Sequence, residues 1–352
     1  MHLFSQRHGQ SSHWSWSTLL VGCILGYVLT VSADLEPHWE VKANCAPYKS
    51  DLETAYNEHA AMVDSALKAI DAVARPRPGL LKQNDRRAWN RYAEMLAAMF
   101  GIKAGREEKD KGIKNGDIDT VRSLYQSMAD AANNKPNPAI SLLIHSLHCG
   151  TSSITYVAPD DIAPGANPDK KTLKELRPGG KEYTYGAFYF QDAKFLEIQE
   201  VDKDRTDPAE YFCPQGPLAF TIKAIAVVVF CDAGLTTGVK SVAAAKPQIK
   251  MLDPYMKWDQ SIANTWVHEM AHMYGPGNLP DQQAVDERGA KLWIDEANNV
   301  PKKTYGFQSC VNLAKFFQPL ALNTADTYSI FATTMYFDNF NWKLGFADSK
   351  FL

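Results

Sequence analysis

The run Ser261–Tyr274, reading Ser-Ile-Ala-Asn-Thr-Trp-Val-His-Glu-Met-Ala-His-Met-Tyr, constrains this chain more than any other stretch. No Gly or Pro interrupts it, and Ile262, Trp266, Met270 and Met273 recur at three- and four-residue steps. That spacing predicts one helix with a single buried face. Gly275 and Pro276 then stop the helix, so His272 falls in its last turn. His268 and His272, four apart, project from the same side. Their imidazoles can share one Zn²⁺, and Glu269 stands beside that point as a base for water. This is the working core of a zinc metallopeptidase. The plainer reading is two histidines on a packed helix with no metal, and the helical setting of the motif argues against it.

A tetrahedral catalytic zinc takes three protein ligands and leaves one position open. No His follows His272 in the chain, so the third ligand is expected to be a carboxylate. Asp281, Asp286, Glu287, Asp295 and Glu296 are the nearest candidates. Each alone reads as a solvated loop charge, and spacing does not choose among them.

Further on lie Tyr305-Gly306-Phe307-Gln308-Ser309-Cys310 and Asn323-Thr324-Ala325-Asp326-Thr327-Tyr328. With the histidine helix, these elements resemble the deuterolysin-like metalloendopeptidases, or aspzincins, including their lysine-specific type. The resemblance is strong over 210–335 and weaker before, where Met99-Phe100-Gly101 shares the look of the family. It implies an Asp as third ligand and Tyr305 as the donor that stabilises the oxyanion. It also implies a Cys213–Cys231 bridge, which closes a short loop. Some relatives prefer Lys just after the cut by means of an acidic pocket, to which Asp326 and its neighbours are candidates. The compact pattern of the family would put the ligand Asp three residues before Tyr305, where this chain has Lys302. The interval from His272 to Tyr305 therefore holds an insertion. Val285-Asp286-Glu287 fits the insertion-bearing pattern best, so Asp286 is the expected ligand, with Asp295 and Asp281 open. Thr324 stands where the family has Asn, which puts one local hydrogen bond in question.

Among 352 residues, 45% are hydrophobic and 22% charged, the balance of a globular protein with one large domain or two modest ones. The net charge of −3, without a continuous basic block, argues against nucleic acid or an anionic membrane as partner. The N-terminus reads as a secretory signal. Arg7 precedes an apolar stretch from Leu19 to Val31, and Val31-Ser32-Ala33 suits cleavage. An uncleaved anchor is the competing reading, although the stretch is short of the ~20 residues a span needs. Secretion predicts that Cys45, Cys149, Cys213, Cys231 and Cys310 pair with one left over. No Asn-x-Ser/Thr sequon is present.

Apolar periodicity predicts helices over 50–75, capped by Ser50 or Asp51, and over 85–100 and 118–132. From 139 the texture changes: Ala139–His145 suits a strand, 157–183 a surface loop, Tyr183–Phe190 an edge strand and Ala224–Phe230 a buried strand. His145 and His148 beside Cys149 make a second metal site conceivable, but ordinary buried histidines fit better. Helices are expected again over 309–317 and 325–337. The expected class is α+β: mainly helical, with a zincin-like core and a small sheet. The expected parts are a signal peptide at 1–33, a helical part at 34–138 and a metallopeptidase core at 139–352, with one continuous domain over 34–352 as the alternative. The expected protein is a secreted monomer with one catalytic Zn²⁺, cutting proteins or peptides and binding neither nucleic acid nor, after signal cleavage, membrane. The alternatives are an inactive secreted binding or effector protein on the same scaffold, and a zinc hydrolase with a different substrate.

Overall fold

In the computed structural model, which describes residues 35–133, 145–165, 167–176, 186–201, 206–214, 216–236, 238–277 and 279–348, the periodicity of the first third becomes three helices. They are α1 (Lys49–Val73), α2 (Gln83–Phe100) and α3 (Gly116–Ala132). The expected caps Ser50 and Asp51 are not used. A 3₁₀ turn over Ala43–Tyr48 runs directly into α1, leaving Tyr48 at the N-cap without a side-chain bond. Asn115 caps α3 by accepting from Ile118 N at 3.0 Å. Gly101 ends α2 at φ +67°, a left-handed turn that favours glycine, and a Cβ there would lie 2.8 Å from Ala314 O. The expected leader at 1–33 and the 139–144 part of the expected strand lie outside the described residues.

The strands are short, and the first precedes α1. In order they are β1 (Trp39–Val41), β2 (His145–Cys149), β3 (Ile154–Val157), β4 (Gly186–Phe190), β5 (Phe195–Val201), β6 (Ala219–Ile222) and β7 (Val227–Phe230). One sheet runs β1-β2-β7-β6, parallel across the first three, with β6 antiparallel at its end. The other runs β3-β4-β5 and is antiparallel. The expectation of an edge strand at 183–190 is corrected here: β4 is the middle strand. Ala187, Phe188 and Phe190 are buried on both of its faces, which an edge beside water would not require.

After the sheets come α4 (Ile262–Tyr274), a hairpin of β8 (Trp293–Asp295) and β9 (Val300–Pro301), then α5 (Phe307–Phe316) and α6 (Ala325–Tyr336). The architecture is α+β. Trp266 of α4 is fully buried among the rings of Trp39, Tyr56, His59 and Phe230. Phe100, Tyr125, Tyr328 and Phe331 form a second aromatic group, in which Tyr125 Oη donates to Tyr328 O at 2.6 Å. One hydrophobic core thus joins α1, α2 and α3 to β2, β7, α4 and α6. Each fully buried Phe or Met in it contributes about 1.5–3 kcal/mol before entropy is counted. This packing holds α4 rigidly from behind and leaves its histidine side facing outward.

Among the described residues two disulfides brace the fold. Cys213–Cys231, the pair implied by resemblance, spans 5.6 Å between Cα atoms, and Cys45–Cys149 spans 4.9 Å. Cys310 is a buried free thiol. Among the described residues no helix is long and apolar enough to cross a membrane.

Candidate metal centre

Helix α4 begins at Ser261, whose hydroxyl accepts from Asn264 N at 3.0 Å. Asn264 is itself pinned: Nδ2 donates to Asp259 O at 2.7 Å, and Oδ1 accepts from Thr333 Oγ1 of α6 at 2.7 Å. The helix therefore has a fixed rotation against α6. Two turns on, His268 and His272 project together, their Nε2 atoms 3.1 Å apart.

Each imidazole is oriented through its other nitrogen. His268 Nδ1 lies 3.2 Å from Asp326 Oδ1, and His272 Nδ1 lies 2.7 Å from Leu279 O. With the proton of a neutral ring on Nδ1, donating to these acceptors, both Nε2 lone pairs face the same point. Asp281 Oδ1 meets them there, 3.4 Å from His268 Nε2 and 3.6 Å from His272 Nε2. That oxygen is buried and has no hydrogen-bond partner. With both rings neutral, three acceptor atoms converge with no donor between them, an arrangement that repels itself unless a proton or a metal cation sits among them. Two imidazoles and one carboxylate are also the donor set of a catalytic zinc. Electrostatics point the same way. Burial depresses the pKa of His268, but the carboxylates of Asp281, Asp326 and Glu269 outweigh it and lift the value to about 10. The pocket attracts positive charge. Among the described residues, His268, His272 and Asp281 form the one cluster of three candidate ligands.

The structure does not bring Asp286, the ligand expected from the resemblance, to this point. Asp286 heads a tight turn in which its Oδ1 accepts from Arg288 N and Ala290 N, both at 2.8 Å. Asp295 is likewise engaged in a turn of its own, with Asn298. The physical reason is strand register. Gln283 pairs antiparallel with Lys303, which sets Asp281 opposite Tyr305. The inserted residues leave this ladder in two turns: Asp286 heads the first, between the bridged Val285 and Lys291, and Asp295 lies in the β8–β9 hairpin beyond it. Tyr305 Oη donates to Asp281 Oδ2 at 2.8 Å, and its ring centroid is 6.1 Å from that of His268. Burial and Asp281 together raise the Tyr305 pKa. The phenol therefore stays protonated and available as a donor.

Glu269 is 3% exposed. Its Oε2 accepts from Thr221 Oγ1 of β6 at 2.7 Å, so the sheet end and the histidine helix meet at this carboxylate. Sequence reasoning missed Thr221, and no motif marks it. It also read Asp326 only as a pocket charge. In the structure Asp326 is a brace: Oδ1 faces His268, and Oδ2 accepts from Gly306 N at 2.6 Å. Gly306 has φ +81°, the left-handed region that favours glycine. Burial and Asp326 raise the pKa of the nearby Cys310 thiol, which keeps it neutral as it donates toward Oδ2 at 3.8 Å. Thr324 makes no cap bond to α6; its hydroxyl donates to Leu320 O instead.

Among the described residues, His145 and His148 join no cluster of three candidate ligands. His145 Nε2 contacts Tyr274 Oη at 3.3 Å, and His148 Nδ1 contacts Ser153 Oγ at 2.9 Å. Burial lowers the pKa of both.

No protein-family model and no curated protein sequence matches the chain. Among solved structures it is similar to a zinc peptidase from Grifola frondosa, at 14% identity and a TM-score of 0.37, over 82% of this chain and 96% of that one.

Proposed function

We propose that this chain is a secreted zinc-dependent metalloendopeptidase in which His268, His272 and Asp281 hold the ion. The observation that carries the reading is the convergence of two oriented imidazoles and the unpartnered Asp281 Oδ1 beside Glu269. A bound zinc supplies Lewis-acid activation of water at that point. Glu269 takes the proton of the attacking water and passes it to the leaving amine. Thr221 holds the Glu269 carboxylate in place, leaving its rotamer little freedom. Tyr305 turns its hydroxyl from Asp281 to the peptide oxygen as negative charge develops there. Strand β6 lies at the end of its sheet, next to α4 through the Thr221–Glu269 bond. An extended substrate can add to that edge as a further strand, which suits protein and peptide substrates over nucleic acid.

The test is digestion of casein or a peptide library by the purified chain. Activity is expected to vanish with a chelator and return with zinc. Glu269→Ala is expected to abolish hydrolysis while zinc stays bound. Zinc binding with no peptide hydrolysis in the wild type would favour the inactive binding protein or a hydrolase of another bond. Full activity of Glu269→Ala would remove the general-base role.

A further inference from the structure

The loop between α1 and α2 carries chemistry that the metal centre does not use. Between positions 75 and 87 the chain places Arg75, Arg77, Lys82, Arg86 and Arg87 against a single carboxylate, Asp85. Of the carboxylates on neighbouring elements, Asp64 pairs with Lys68, Asp71 with Arg122, Glu107 with Lys111 and Glu94 with Lys343, while Glu108 and Asp110, on the segment beside Arg77, make no ion pair with the loop. Among the described residues none of the five cations has an ion-pair partner. At the tip, Leu80 and Leu81 stand side by side at 75% and 102% of full exposure. Single apolar side chains scattered on a surface are ordinary. Two adjacent leucines in water, on a loop whose five cations have no ion-pair partner, are not.

The tip is held out by its base. Trp89 Nε1 donates to Arg75 O at 3.0 Å, Arg77 N to Lys109 O at 2.9 Å and Arg86 Nη1 to Pro78 O at 3.0 Å. Pro76 and Pro78 stiffen the approach. Lys82 N closes a turn on Gly79 O at 3.0 Å, which presents both leucines at its corner.

We propose that this loop docks the protein on an anionic phospholipid surface. Leu80 and Leu81 enter the acyl boundary while the five cations lie at headgroup level. Charge complementarity selects the partner. A lipid interface offers negative charge and an apolar layer together, and needs no shaped pocket to receive a protrusion. A soluble polyanion or an acidic protein segment would engage the cations and leave the leucines in water. The net charge of −3 conceals the feature, because Pro, Gly and Leu separate the cations and no continuous basic block forms. The proposal stands apart from the peptidase reading and uses none of its residues.

The experiment is co-sedimentation of the full chain with vesicles of phosphatidylcholine alone, or of phosphatidylcholine mixed with phosphatidylserine. The wild type is expected to bind the mixed vesicles more tightly, and less so as salt rises. A Leu80→Ser/Leu81→Ser chain is expected to lose about 100-fold in partitioning, about tenfold for each leucine withdrawn from the acyl layer. Lys82→Gln/Arg87→Gln, both exposed, is expected to lose about 25-fold, about fivefold per charge. Neither pair touches the core, so unchanged thermal unfolding confirms that the variants are folded. Binding that falls with the cations but ignores the leucines assigns the face to a soluble polyanion and overturns the proposal. Binding that depends on the leucines but ignores lipid charge overturns it as well, and so does equal binding by all three chains.

Discussion

Asp326→Asn isolates the brace behind His268. Asp326 is 9% exposed, and its carboxylate joins His268 Nδ1, Gly306 N and the Cys310 thiol. Asn keeps the volume but removes the charge, and it offers one acceptor oxygen where two were used. Either His268 loses its acceptor or the Gly306 N–H does. In metal sites, loss of such an outer partner weakens binding by about 10- to 100-fold, which corresponds to about 1.4–2.7 kcal/mol. Asp326→Ala also leaves the Gly306 N–H unpaired, at a further cost of about 1–3 kcal/mol in folding stability. The assay is a competitive titration of zinc against a chromophoric chelator, with thermal unfolding of the metal-free chains as the folding control. Zinc affinity in Asp326→Asn equal to wild type, in a chain that unfolds normally, would show that His268 needs no brace and refute the reasoning.

Thr221→Val and Tyr305→Phe are expected to lower kcat by about tenfold and about 100-fold with zinc content unchanged, because the first loosens the base and the second removes an oxyanion donor. Steady-state kinetics beside metal analysis checks both, and zinc loss in either variant would count against its assigned role. Acid is expected to destabilise the fold through His59. Burial depresses its pKa from 6.5 to about 4, against a weaker opposing bond to Tyr56 O, so the unfolded chain binds the extra proton between those values. Stability is thus full above about pH 6.5 and falls as pH drops toward about 4, by about 3 kcal/mol for this one group. Urea midpoints against pH, for wild type and His59→Phe, read the effect; a flat profile in both would contradict it.

Where the sequence carried a period or a fixed motif, it was legible. Helix α4 follows from the steps of Ile262, Trp266, Met270 and Met273, and the three helices of the first third follow from similar spacing. Residues brought together by tertiary register were not legible. Asp281 and Asp286 are both acidic and both near His272, and only the pairing of Gln283 with Lys303 sets one beside the imidazoles and carries the other away. Thr221 lies 48 positions from Glu269, on a strand whose place beside α4 no local pattern announces. The reading of Tyr183–Phe190 as an edge failed for a similar reason. Alternating aromatic and small residues fit an edge or a middle strand equally, until partners on both sides are known.

The most direct test of the account is zinc stoichiometry measured on the purified chain and on two single variants, Asp281→Ala and Asp286→Ala. One tightly held zinc per chain is expected in the wild type and in Asp286→Ala, and its loss in Asp281→Ala. Retention of zinc by Asp281→Ala with loss in Asp286→Ala, or no zinc in any of the three, would contradict the centre described above.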